Sequence, residues 1–151
     1  MAETNTTQGA KILANAKLLP HESHGRVRTL CSKLVAVFTA VPINDTIFIG
    51  RVKAGTRFLA CGNVSCAAGT ATGTIDIGLR ETATGTVLSA TALAAGLDVA
   101  TAGVKMINTG VYIAAGAEYV TLKECDVYAT VKTAVLAANQ SLKFEIPYVA
   151  D

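Results

Sequence analysis

The chain has 151 residues, of which 51% are hydrophobic and only 16% charged, with no Trp and a formal net charge of +2. That length suits one domain able to bury roughly 70% of its unfolded surface, so it needs neither a metal nor a disulfide staple. The near-balanced charge excludes the clustered basic stripe that phosphate-dominated nucleic-acid binding requires.

The small charge is unevenly placed. Before residue 29 stand Lys11, Lys17, Arg26 and Arg28 against Glu3 and Glu22, which accounts for the whole excess; the remaining nine cations and nine acids cancel. Residues 1–28 therefore read as a polar, basic N-terminal arm and residues 29–151 as a neutral body rich in Ala, Thr, Gly and Val. Low charge leaves weakly polar surface, which in a soluble protein tends to end against a partner. The N-terminus lacks the charged start and apolar core of a secretory signal, and no apolar run is long enough to span a membrane. The expectation is folding in a cytosol with Cys31, Cys61, Cys66 and Cys125 reduced and buried; a Cys61–Cys66 disulfide formed after release is the alternative.

Within the arm, Ile12, Leu13, Ala16 and Leu19 have helix-like spacing up to Pro20, and His21–Gly25 reads as a hinge. Strand patterns follow. Residues 28–41 form an extended run ended by Pro42, and 46–52 resumes it after a turn at Asn44-Asp45. Ala54-Gly55 is a turn, 56–64 a strand and 67–70 a loop. In 73–80, Ile75, Ile77 and Leu79 alternate with Thr74, Asp76 and Gly78. After a tip at 81–85, the Ala-rich 89–96 is the one internal candidate for a short helix, closed by Gly96. Residues 99–106 are ambiguous, and 110–114, 118–122, 126–133 and 142–149 read as strands, with turns near Gly116 and at Asn139-Gln140. About eight short strands at this spacing predict an all-β antiparallel sandwich of jelly-roll-like type behind an N-terminal arm.

No catalytic constellation emerges. His21 and His24 lie in the arm, a poor place from which to hold a base against a nucleophile. Glu124 and Asp126 can share a strand face, but with Glu118 they read as solvated edge charges. The Gly-rich stretch 68–73 lacks the Lys-Ser/Thr ending of a phosphate loop. Cys61 and Cys66 stand at the outer limit of common zinc spacings, but Cys31 and Cys125 stand alone and no His follows His24; few basic residues interleave with Tyr112, Tyr119, Tyr128 and Tyr148. The residues thus imply a non-enzyme with no catalytic, cofactor-binding or metal-binding residue and no nucleic-acid or membrane partner.

An ordered series of segments carries a resemblance. It runs Ala54-Gly55-Thr56-Arg57-Phe58, Thr74-Ile75-Asp76-Ile77-Gly78, Thr84-Gly85, Gly110-Val111-Tyr112 and Gly116-Ala117-Glu118-Tyr119-Val120-Thr121. It closes with Asp126-Val127-Tyr128-Ala129-Thr130-Val131 and Phe144-Glu145-Ile146-Pro147-Tyr148-Val149. From Ala54 to Asp151 the chain resembles the small virion proteins encoded beside the major capsid protein in many tailed phages. Some of these are capsid cement (decoration) proteins with a jelly-roll-like fold. The resemblance implies a non-enzymatic protein made in the host cytoplasm and placed on the outer capsid surface. Its implied partner is the major capsid protein; the apolar composition adds self-association, a homodimer favoured and a homotrimer possible, which the resemblance itself does not fix. It does not cover the arm, whose contact residues follow from charge and spacing alone: Lys11, Lys17, Arg26 and Arg28 for an acidic capsid surface, Ile12, Leu13 and Leu19 for burial. The alternative is another virion structural protein, such as a tail- or fibre-associated adhesin or binding module.

Overall fold

The computed structural model describes residue 11, residues 13–17 and residues 26–150. Nine strands are present among them: β1 (Arg26–Lys33), β2 (Thr46–Val52), β3 (Arg57–Phe58), β4 (Gly62–Cys66), β5 (Thr74–Glu81), β6 (Val87–Asp98), β7 (Gly103–Ile107), β8 (Cys125–Lys132) and β9 (Leu142–Ala150). They form two antiparallel sheets, β1-β9-β4-β7 with the two-residue β3 also on β9, and β2-β8-β5-β6. With β3 set aside, the order is first, eighth, third, sixth facing second, seventh, fourth, fifth. That is jelly-roll topology, two interleaved Greek keys folded into a sandwich. The expected all-β antiparallel sandwich is the observed architecture.

Alternation builds the core. Ile75, Ile77 and Leu79 of β5 meet Val127, Ala129 and Val131 of β8, and all six are essentially inaccessible. From the other sheet come Val64 of β4 and Leu142, Phe144 and Ile146 of β9. The core is thus mostly aliphatic and finely divided, as the scarcity of aromatics implies. β8 is buried on its second face too: Asp126, Tyr128 and Thr130 are each under a tenth exposed. Over Gly78, β6 spends five steps (Ser89 to Ala94) while β5 spends two (Ile77 to Leu79). This large bulge lays the carbonyls of Ser89 and Ala90 over Gly78, where a side chain has no room.

Several expectations are corrected here. The Ala-rich 89–96 is strand and bulge rather than helix, because consecutive Ala92, Leu93 and Ala94 are buried between β5 and the 110–112 segment. Tertiary packing outweighs the helix propensity of Ala. The extended run ends at Lys33 instead of Val41; the chain then crosses between sheets, packing Leu34 and Phe38 on the core from irregular backbone. The arm–body boundary at 28/29 falls inside β1, which pairs with β9 from Arg26↔Ala150 onward. The 56–64 segment splits into β3 and β4 around a turn at Ala60-Cys61. Residues 110–114 are turn and bend, and 118–122 are irregular backbone with one bridge, Val120 to Arg57. Of the four cysteines, Cys66 and Cys125 are buried, while Cys31 and Cys61 are exposed thiols.

In the arm, Lys11 and Leu13 lie in a helical turn. It closes at Asn15, not at Pro20: Asn15 takes a φ of 52°, and the Ala16 amide donates to the Lys11 carbonyl at 2.8 Å.

Candidate interaction surfaces

The topology sorts the loops between two ends of the sandwich. At one end, loops 34–45, 67–73, 99–102 and 133–141 meet, tied by the Val41–Leu136 bridge and by bonds such as Gly69 N to Ala100 O. At the other, loops 53–56, 82–86 and 108–124 gather beside the start of β1 and the end of β9. There the Gly55 amide donates to Thr121 O at 2.7 Å, Thr82 N to Glu124 O at 3.0 Å, and Arg57 Nη1 to Glu118 Oε1 at 2.7 Å.

This second end carries the richer chemistry. Asp126 accepts from Arg51 Nε at 2.8 Å and from the Thr82 hydroxyl at 2.9 Å, with Arg80 Nε at 3.6 Å. Arg80 also lies 5.2 Å over the Tyr128 ring. Burial pushes the Asp126 carboxyl up, but the Arg51 and Thr82 hydrogen bonds and both arginine charges outweigh it and hold it below its ordinary range. Asp126 and Glu118 are therefore partners of arginines, correcting the reading of solvated edge charges. Lys123 and then Thr84 likewise lower the Glu81 carboxyl.

Beside this network is a cleft of about 180 Å³ lined by Arg28, Arg51, Val52, Lys53, Thr56, Tyr148 and Ala150. Its floor is fixed: the Thr56 and Thr121 hydroxyls both donate to Lys53 O at 2.8 Å, and the Thr56 amide donates to Thr121 Oγ1 at 3.0 Å. Apolar surface lies at the same end. Val87, Leu88, Val111 and Leu122 are exposed, Leu122 by 84%. Tyr112 and Tyr119 stack at 4.0 Å, and the Tyr112 hydroxyl donates to Leu88 O. On the outer face of the β1-β9-β4-β7 sheet, Val27, Val104 and Met106 are also exposed.

The expected contact residues separate into two groups. Arg26 and Arg28 are exposed on β1, opposite Ala150 and Tyr148, and Arg28 enters the cleft. Lys11, Leu13 and Lys17 belong to the short N-terminal segment, where Leu13 is 73% exposed. Ile12, Leu19, His21 and His24 lie outside the described residues. Sequence reasoning missed Arg51 and Lys53. The signal available was a basic strand end, Arg51-Val52-Lys53, running into a glycine turn; their approach to Arg28 depends on strand pairing far apart in the chain. Among the described residues, no group of three or more His, Cys, Asp or Glu gathers as a metal site.

At the opposite end, hydrogen bonds from the Thr101 hydroxyl and the Ala100 amide, with Lys105 3.3 Å away, hold the Asp98 carboxyl at about 2. Glu81, Asp98 and Asp126 are all more acidic folded than unfolded. Their stabilisation is complete above the ordinary carboxylate range and is lost as pH falls toward the folded values. The melting temperature should stay level down to about pH 5 and fall steeply between about pH 4 and 2. Asp98→Asn should flatten part of that fall, as thermal melts across the range will show.

No protein-family model and no curated protein matches the chain. Among solved structures, a chain in the capsid of Ralstonia phage GP4 matches with a TM-score of 0.64 at 14% identity, over 89% of this chain and 92% of that one. A chain in the cyanophage Pam1 capsid asymmetric unit matches with a TM-score of 0.58 at 19% identity, over 100% of both. At these identities the likeness is one of fold, and it extends along the whole molecule: the structural neighbours of this jelly roll are phage capsid proteins.

Proposed function

We propose that this chain is a non-enzymatic capsid cement protein, made in the host cytoplasm, that binds across major capsid protein subunits on the outer surface of a phage head and stabilises it. The observation that carries the reading is the structural match, covering 100% of both chains, to a chain of a phage capsid asymmetric unit. The composition agrees with it: a neutral sandwich with exposed apolar residues at both ends, Val35 and Val37 at one and Val111 and Leu122 at the other, suits a clamp that binds without refolding. Many weak contacts at symmetry-related sites add through effective concentration, and a protein that binds only the assembled shell stabilises it by mass action. A homodimer is favoured over a homotrimer, since a two-fold clamp bridges a seam with two equivalent contacts.

In this reading the arm contributes reach. Lys11, Lys17, Arg26 and Arg28 lie against acidic capsid surface, while Ile12, Leu13 and Leu19 bury. Deleting residues 1–25 keeps β1 intact and should weaken shell affinity about tenfold, equivalent to one or two lost contacts of about 1 kcal/mol each, and so lower occupancy at subsaturating protein. Quantitative gel analysis of sedimented shells gives the occupancy. Equal occupancy by the shortened chain would remove the arm from the binding surface.

A further inference from the structure

We propose that the cleft at the start of β1 receives a carboxylate side chain from an extended acidic segment of the protein on which this chain docks. The proposal rests on the capsid-binding reading and names the chemistry of the partner.

β1 is the edge of its sheet: β9 covers one side, and among the described residues no strand pairs with the other. Its sequence, RVRTLCSK, holds three cations and no acid. Open strand edges attract a further strand, and charge decides which. A second copy pairing antiparallel about the middle of β1 would set Arg26 against Lys33 twice over, a like-charge arrangement that weakens the pair. An acidic strand meets opposite charge instead.

The cleft adds a place for a side chain. Arg28 comes from β1, and Arg51 and Lys53 from the end of β2 and the turn after it. Asp126 already engages Arg51, whereas among the described residues no carboxylate pairs with Arg28 or Lys53. The hydroxyls of Thr56 and Thr121 both bond Lys53 O, so the turn is held before anything binds. A preorganised, doubly cationic cleft beside an open edge is built for a carboxylate on an extended chain.

An eight-residue peptide of alternating Glu and Val, acetylated and amidated, is the probe, with the Lys–Val peptide as control. Titration followed by NMR should shift Arg28, Lys53 and Thr56 and protect amides of Arg26–Thr29, with binding that weakens on adding salt. Arg28→Glu with Lys53→Glu should weaken it by at least about tenfold. Arg28→Gln with Lys53→Gln serves if the reversed pair does not fold. Equal binding by these variants, shifts confined to another face, or acetate alone binding as tightly as the peptide would each overturn the proposal. Shell occupancy separates the two readings. Full occupancy by both the wild type and the double variant removes the cleft and leaves the cement function. Peptide binding without wild-type shell occupancy removes the cement function and leaves the cleft.

Discussion

Gly110→Ala is expected to lower stability by about 3 kcal/mol or more and to detach the 108–124 loop from the sandwich. A Cβ at this position would lie 2.2–2.4 Å from Leu93 C, Ala92 O and Leu93 Cα, which is backbone that cannot swing aside. The same contact seats three hydrogen bonds, from Gly110 N to Leu93 O, Val111 N to Thr91 O and Tyr112 N to Ala92 O, each 3.0 Å. Forcing the strands apart strains all three and lifts Tyr112 and Tyr119 from their places near Leu88. Against a typical total of about 5–15 kcal/mol, that loss leaves a marginal domain. Gly116→Ala is the control. Gly116 has a φ of 75° but open space around it, so its cost is left-handed strain alone, about 1 kcal/mol. Urea denaturation reads both, and a Gly110→Ala midpoint no lower than that of Gly116→Ala would contradict the packing described here.

The second large effect is expected at Gln140, buried at the opposite end. Its Nε2 donates to Ala67 O at 2.9 Å and to Val99 O at 2.7 Å, joining three loops that are distant in sequence. The orientation is required, because the amide oxygen turned toward two carbonyls would repel both. Gln140→Ala leaves two carbonyls without their donor and should cost about 2–4 kcal/mol. The glycine beside it makes the test specific. A Cβ on Gly69 would fall 2.3–2.5 Å from the Gln140 amide group, so Gly69→Ala displaces the same side chain. The two substitutions should be strongly non-additive, with Gly69→Ala costing little once Gln140 is gone. Additive losses in a double-mutant cycle would mean that Gln140 does not tie these loops.

What the sequence made legible follows from how local each signal is. Thr46–Val52 was readable to the residue, and β5 nearly so, because period-two alternation between turn signals needs no knowledge of partners. β6 was not. SATALAAG carries helix-forming alanines, and only the bulge over Gly78 and the docking of 110–112 against Ala92 and Leu93 explain why small residues are wanted there. The 110–122 region failed in the opposite direction: Val111, Tyr112, Tyr119 and Val120 have β-forming side chains, but Gly110 docks the segment on the β6 backbone and Gly116, at a φ of 75°, turns it, so that 111–113 are turn and 117–121 irregular backbone with one bridge. Asp126 looked like a surface acid because its arginines, at positions 51 and 80, are placed by sheet pairing alone. The surface site divides likewise. The charge asymmetry pointed to Arg26 and Arg28, yet Arg51 and Lys53 join Arg28 only after β1 pairs with β9 and β2 with β8.

Shell binding tests the central claim most directly. Purified protein is added to expanded shells of the same phage's major capsid protein that lack it, and the shells are imaged by single-particle cryo-electron microscopy. The cement reading predicts density for the jelly roll at symmetry-related sites spanning neighbouring subunits on the outer surface, together with a higher shell melting temperature. Shells that stay bare at saturating protein, with an unchanged melting temperature, would contradict it.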